Sequence, residues 1–294
     1  MATTSTRTGT RPEPAADSHR AAGGAGLVRL RLDVAYDGTD FSGWAAQPGR
    51  RTVAGVLLAE LNRLFASPSG LVVAGRTDAG VHATGQVCHV EVPAAEWSAI
   101  GDSLGRRLAR LLPRDLRVTA VVPVPSTFDA RFSALWRRYE YRVTDAPWGA
   151  DPLRARDTLA WPRRLDLNAL RTAAAGLVGE HDFAAYCRRK EHATTLRHLA
   201  RLDWRRDPDG VLVAEVEADA FCQAMVRSLV GGLLPVGDGR RPVPWPASLL
   251  GRSQRADEVP VAPAYGLTLV AVGYPAQEDE YAQRAALTRA RRVR

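Results

Sequence analysis

The sequence feature that most constrains the fold is a regular alternation of apolar and polar residues near residue 30. Every second residue from Val28 to Tyr36 is apolar, whereas the residues between them are charged or small. Strand side chains point alternately to two faces, so this period predicts a β-strand over 27–36 with one buried face. Asp37 and Gly38 follow directly and form a strong turn signal. The chain therefore needs a sheet and a core that cover one side of this strand.

The same periodicities divide the rest of the chain into strands and helices. After Thr52, apolar residues recur at helical spacing, which predicts a helix that begins there. We predict further helices over 95–112, 168–177 and 223–234, and strands over 71–74, 86–92, 117–122, 136–143, 199–204, 211–218 and 267–272. Hairpins interrupted by helices predict the α+β class, with two lobes that each contain a largely antiparallel sheet.

A cluster of proline and glycine at 145–152 marks the predicted boundary between the lobes. We predict a disordered N-terminal tail at 1–26, an N-terminal α/β lobe at 27–147, a C-terminal α/β lobe at 148–275 and a basic C-terminal tail at 276–294. The arginine-rich end has two interpretations, a solvated helix or a disordered arm that contacts RNA.

The composition indicates a globular protein of the cytoplasm. The chain has 294 residues, of which 46% are hydrophobic, and it contains no apolar run of about 18 residues. Its N-terminus lacks the apolar centre of a secretory signal. The cysteines, Cys88, Cys187 and Cys222, are widely spaced, and this spacing predicts neither a disulfide framework nor a zinc site.

The net charge of +8 favours a polyanionic partner such as nucleic acid. However, every Lys or Arg position except Lys190 holds arginine. A compositional bias of the whole sequence therefore stays open as an explanation of the charge.

The segment G-R-T-D-A-G at 75–80 presents one carboxylate, Asp78, between two predicted strands. Glycine at both ends permits positive φ or the close approach of another backbone. Arg76 and Asp78 are two residues apart and point the same way if the chain is extended. The loop is therefore suited to chemistry, although a hairpin in which Asp78 caps its own backbone is an alternative interpretation.

Five further segments accompany this loop along the chain. They are Y-D-G-T-D-F-S-G-W at 36–44, G-Q-V at 85–87, F-D-A-R-F-S-A with R-R-Y-E-Y at 128–141, M-V-R at 225–227, and A-P with G-L at 262–267. Together with G-R-T-D-A-G-V-H, and in this order, they resemble the tRNA pseudouridine synthase A family from about residue 28 to 274.

This resemblance implies isomerisation of uridine to pseudouridine in the tRNA anticodon stem-loop, at tRNA positions 38, 39 and 40. It implies a homodimer without a cofactor or metal, and two pseudo-symmetric lobes with the active-site cleft between them. Asp78 matches the catalytic aspartate, Tyr139 the residue that stacks on the target uracil, and Arg227 the basic partner of the aspartate. Arg76 matches an arginine that helps to hold the target nucleotide out of its stack, and Leu267 matches an apolar wall of the pocket.

The residues taken singly also have structural interpretations. Tyr139 on an alternating strand is also typical of a core residue, and Arg227 in an apolar helix is typical of a surface arginine. Leu267 alone indicates nothing, and we interpret Tyr36 and Trp44 as structural.

The sequence departs from the common pattern of the family at Ala45, Asp129, Gln223 and Ala224. These positions bear on contacts with RNA more than on the reaction class.

Two other functions are alternatives to the isomerase. A two-carboxylate N-glycoside hydrolase needs a second positioned acid, which neither the Asp78 loop nor M-V-R contains. A non-enzymatic RNA-binding or tRNA-folding module needs only the basic surface.

Overall fold

A mixed sheet runs through the computed structural model, which describes residues 26–188 and 194–293. Its ten strands are β1 (Leu27–Tyr36), β2 (Val72–Val73), β3 (His82–Pro93), β4 (Leu116–Val124), β5 (Trp136–Thr144), β6 (Leu159–Ala160), β7 (Gly179–Asp182), β8 (Leu196–Arg206), β9 (Leu212–Ala218) and β10 (Leu267–Gly273). β1 has the bounds that the alternation predicts. Its apolar residues from Leu30 to Tyr36 are buried, as the one-faced pattern requires.

β10 lies in the middle of the sheet although it is the last strand of the chain. The strand order is β4-β1-β3-β10-β5-β9-β8-β7, with β2 paired to β3 and β6 paired to β5. β10 is antiparallel to β5 and parallel to β3, where Thr268 lies opposite His82. The other neighbours on the main path are antiparallel. The predicted α+β class is therefore confirmed, and the sheets of the two halves are continuous.

The helices of the described residues are α1 (Val53–Leu64), α2 (Ala94–Leu111), α3 (Leu167–Ala175), α4 (Met225–Gly237), α5 (Trp245–Ser248) and α6 (Glu280–Val293). α1 confirms the helix predicted from Thr52. The Thr52 hydroxyl accepts a hydrogen bond from the Gly55 N–H at 3.2 Å and caps the start of this helix. In the part of the chain that the structure describes, no helix combines the length and apolarity needed to cross a membrane.

The basic C-terminal segment contains α6, which packs on the 128–134 segment. The ring centroids of Tyr281 and Phe128 are 5.2 Å apart. Arg289 Nη2 lies 2.8 Å from Asp129 Oδ2. Residues 280–293 thus form a helix, one of the two interpretations of the sequence. The predicted tail at 1–26 lies outside the described residues except for Gly26. The lobe boundaries stay predictions.

The sequence predicts no disulfide framework, and the structure differs from this expectation for one pair of cysteines. The structure joins Cys187 and Cys222, whose Cα atoms are 5.7 Å apart. The Arg188 N–H donates to the Gln223 carbonyl at 3.1 Å and brings the two segments together. The cysteines are separated by 35 residues, so their spacing carries no signal of this long-range contact.

Candidate active site

Asp78 lies in the loop that joins β2 to β3. The Val81 N–H donates to the Asp78 carbonyl at 3.2 Å and closes a turn in which Gly80 has a φ of +77°. A Cβ atom on Gly80 would also lie 3.2 Å from the Cβ of Ala264. Glycine therefore meets both a conformational and a steric requirement of this turn.

The chain that follows β1 packs directly against this loop. The Trp44 N–H donates to the Thr77 carbonyl at 3.1 Å. Gly43 has a φ of +93°, and a Cβ atom there would lie 2.9 Å from the same carbonyl oxygen. The Y-D-G-T-D-F-S-G-W segment therefore supports the loop through its main chain, which requires a glycine at close approach.

A buried polar network holds the other side of the loop. The Tyr36 hydroxyl and Thr77 Oγ1 share a hydrogen bond of 2.8 Å. Gln86 Nε2 donates to the Gly75 carbonyl at 2.9 Å and to the Tyr36 hydroxyl at 3.2 Å. Tyr36, Thr77 and Gln86 are buried, and their polar atoms are costly to leave unpaired, so the network fixes the loop backbone. Burial also raises the pKa of Tyr36.

α4 presents Arg227 to the carboxylate of Asp78. Arg227 is the one residue of this helix that is not buried. Its Nε donates to the Ala262 carbonyl at 2.7 Å, and its Nη1 lies 3.5 Å from Asp78 Oδ2. The side chain of Asp78 is 38% exposed. The carboxylate thus faces a held cation and stays within reach of a ligand.

Ala224, directly before α4, has a φ of +63°. A residue with a Cβ atom pays roughly 1–2 kcal/mol for this left-handed conformation. This strained residue lies three positions before Arg227. Strained backbone is often found at functional sites, so its position is consistent with a site at the start of α4.

Tyr139 projects from β5 and is 8% exposed. Its ring meets the Phe221 ring edge-on, with centroids 5.2 Å apart. Burial raises the pKa of Tyr139 to about 12; the charge of Asp78 adds to the rise and that of Arg137 opposes it. The phenol is therefore protonated at neutral pH, and the charge of Asp78 contributes to this.

The two remaining predicted residues occupy different surroundings. Leu267 is buried at the start of β10, opposite Tyr141, and Leu269 lies opposite Tyr139 on the same strand pair. Arg76 is exposed, and the buried Thr77 separates it from Asp78. The structure thus brings Asp78 and Arg227 into contact, with Tyr139 and Leu267 on the adjoining central strands.

The motifs assign no role to Thr77, Gln86 or Phe221, although Thr77 and Gln86 lie within two of them. The sequence contains a signal for Gln86, because the strand period places this amide on the same face as Cys88, Val90 and Val92. Phe221 lies outside regular elements and has no such local signal.

Comparisons with known proteins identify the family of the chain. A family model described as tRNA pseudouridine synthase matches residues 34–133 and 173–275, which include Asp78, Arg227 and Leu267. A tRNA pseudouridine synthase A of Frankia casuarinae is 60% identical over 269 residues, which are 91% of this chain and 97% of that protein.

Two more relatives carry the same name. The protein of Streptomyces griseus is 56% identical over 254 residues, 85% of this chain and 89% of its own length. That of Mycobacterium leprae is 52% identical over 274 residues, 89% of this chain and 94% of its own length. Because the family model matches both halves of the chain and these relatives match over most of their length, the chain belongs to the tRNA pseudouridine synthase family.

Proposed function

We propose that this isomerase acts on uridines of the tRNA anticodon stem-loop and that Asp78 is its catalytic carboxylate. One observation carries the choice of residue. Asp78 is a partly exposed carboxylate on a glycine-flanked turn, and Arg227 lies 3.5 Å from it. Family membership supplies the reaction class, and this geometry supports the assignment of the catalytic group.

The reaction breaks the bond between N1 of uracil and C1′ of ribose, turns the base, and joins C5 to C1′. A carboxylate can attack the sugar or the base, or it can act as a base toward the 2′ position of the sugar. Each route uses the negative charge of Asp78. The guanidinium of Arg227, held by the Ala262 carbonyl, supplies a fixed positive charge beside it.

The target base must leave its stack, which costs a few kcal/mol. In the proposed complex Tyr139 stacks on the extruded uracil and Leu267 forms an apolar wall of the pocket. The exposed guanidinium of Arg76 stacks in the gap or binds a phosphate, and so keeps the nucleotide out of the stem.

The proposal includes a homodimer that acts in the cytoplasm without a cofactor. Its support is the resemblance of the motifs to the family. Recognition of folded tRNA by shape favours a basic surface spread over two subunits.

The test compares wild-type protein with Asp78→Asn, Asp78→Ala and the control Asp203→Asn. Asp203 is a half-exposed carboxylate of β8. Carbodiimide adducts map pseudouridine in treated tRNA, and single-turnover rates are measured at saturating enzyme. We expect both Asp78 variants to lose isomerisation and to keep tRNA affinity within about tenfold, or about 1.4 kcal/mol. The control should match the wild type.

Turnover by either Asp78 variant would contradict the assignment of this residue. Release of free uracil by the wild type would show hydrolysis of the glycosidic bond. An Asp78→Asn protein that keeps the full biological effect would favour a binding module.

A further inference from the structure

Arg137 is a buried arginine that precedes Tyr139 by two residues on β5, so both side chains lie on one face of the strand. Its Nη1 donates to the Asp219 carbonyl at 2.8 Å. Its Nη2 donates to the carbonyls of Ala74 at 2.8 Å and Arg131 at 2.7 Å. One guanidinium therefore joins three main-chain segments that are distant in sequence.

Two of these segments lead to residues of the candidate active site. Ala74 is the residue before the glycine-flanked loop that carries Asp78. Asp219 follows β9 and begins the short connection that contains Phe221 and ends at α4. The guanidinium of Arg137 therefore links the start of the Asp78 loop to the connection that contains Phe221.

The planar guanidinium suits this task because its donors diverge in fixed directions. A lysine ammonium keeps the charge but is a compact donor group on a flexible stem. Burial lowers the pKa of Arg137, and the charge of Arg137 in turn opposes the rise in the pKa of Tyr139. The side chain therefore acts on the site through both geometry and charge.

We propose that Arg137 is a positioning residue for the isomerisation, which sets the separation of the Asp78 loop from the wall formed by Phe221 and Tyr139. This inference rests on the proposed function. Loss of the three hydrogen bonds shifts the Asp78 loop and this wall relative to each other, and a displacement of about 1 Å can reduce a catalytic rate about 100-fold.

The test uses Arg137→Lys and Arg137→Met, with Arg138→Met as the matched control. Arg138 is the next residue of the strand, faces the other side, and pairs with Glu217 at 2.7 Å. For each variant we measure the single-turnover rate at saturating enzyme and the tRNA dissociation constant, and compare both with those of the wild type. Circular dichroism confirms that each variant is folded, and hydrogen exchange is followed at 74–81 and 219–224.

We expect Arg137→Met to lose about 100-fold in rate and Arg137→Lys to lose less, while tRNA affinity changes by less than about threefold. Exchange should increase in both segments together, and Arg138→Met should stay near the wild type. A general loss of stability would instead raise exchange throughout the sheet and lower rate and binding together, which would overturn the inference.

Arg137→Lys decides the case if Arg137→Met does not fold. Rates near the wild type in the folded Arg137 variants would overturn the positioning role, even if Asp78→Asn is inactive and the proposed function stands. A wild-type protein that forms no pseudouridine would overturn both proposals.

Discussion

The ring and the hydroxyl of Tyr139 have different tasks in the proposed reaction. The ring, held edge-on by Phe221, offers a face to the uracil. After C5 joins C1′, a proton must leave C5, and a base must be within hydrogen-bond reach. Burial raises the pKa of Tyr139 to about 12, so its hydroxyl enters the reaction as a phenol. It can relay the proton only by passing its own to a neighbour as it accepts the other.

Tyr139→Phe and Tyr139→Leu separate these tasks. We expect a severe loss of rate in Tyr139→Phe, with accumulation of a rejoined product that is still protonated at C5. Tyr139→Leu should also lose base positioning worth about 1–3 kcal/mol. Single-turnover rates and chromatography of digested tRNA measure both effects. Tyr186→Phe is the control, because that buried hydroxyl donates to Pro246 at 2.6 Å. Near-normal turnover by Tyr139→Phe would exclude the proton relay.

The residues proposed to carry the chemistry could be predicted from the sequence more readily than those that support them. Asp78 and Arg227 belong to short motifs, and the structure places them 3.5 Å apart. The contact between Tyr36 and Gln86 depends on the register of β1 against β3, which shifts between Val34 and Tyr36. The hydrogen-bond partners of Arg137 are main-chain carbonyls. Every residue has such a carbonyl, so the residue types in the sequence do not identify these partners.

Elements with a strong local period were predicted well, whereas pairings between distant elements were not. β1 and α1 follow the alternation and the Thr52 cap. The position of β10 between β3 and β5 depends on contacts with residues more than 120 positions away. Such long-range pairing leaves no periodic signal in the strand itself, and the contact of Cys187 with Cys222 escaped prediction for the same reason.

β3 also contains a histidine that makes stability depend on pH. His89 Nδ1 accepts a hydrogen bond from the Ala130 N–H at 3.0 Å. Burial lowers the pKa of His89 from 6.5 to about 4, and the charge of Arg29 contributes. Between these pH values the unfolded chain binds a proton that the folded protein does not. The contribution of His89 to the free energy of unfolding is therefore complete above pH 6.5 and falls as the pH drops toward 4.

We expect this residue to cost about 2 kcal/mol of stability between about pH 7 and about pH 5. Urea unfolding of wild type and His89→Asn at both pH values measures it, since asparagine can accept the same bond without titrating. The exposed His198 provides the control His198→Asn. An equal loss of stability in wild type and His89→Asn would show that another group titrates.

At the scale of the whole molecule, the charge of +8 is the property that bears on tRNA. Arginine contacts to phosphate release counterions, so binding should weaken steeply between about 50 and about 200 mM salt. Filter binding or fluorescence anisotropy at several salt concentrations gives the slope. A flat dependence would mean that the arginine content is compositional and that recognition depends on other contacts.

The central position of β10 has a consequence for the folding of the chain during its synthesis on the ribosome. β10 separates β3, which continues from the Asp78 loop, from β5, which holds Tyr139. Until residues 267–273 have been synthesised, the two strands lack the neighbour that joins them. A nascent chain therefore already carries Asp78, Tyr139 and Arg227 before this strand exists, and we expect the candidate active site to be among the last parts of the protein to form.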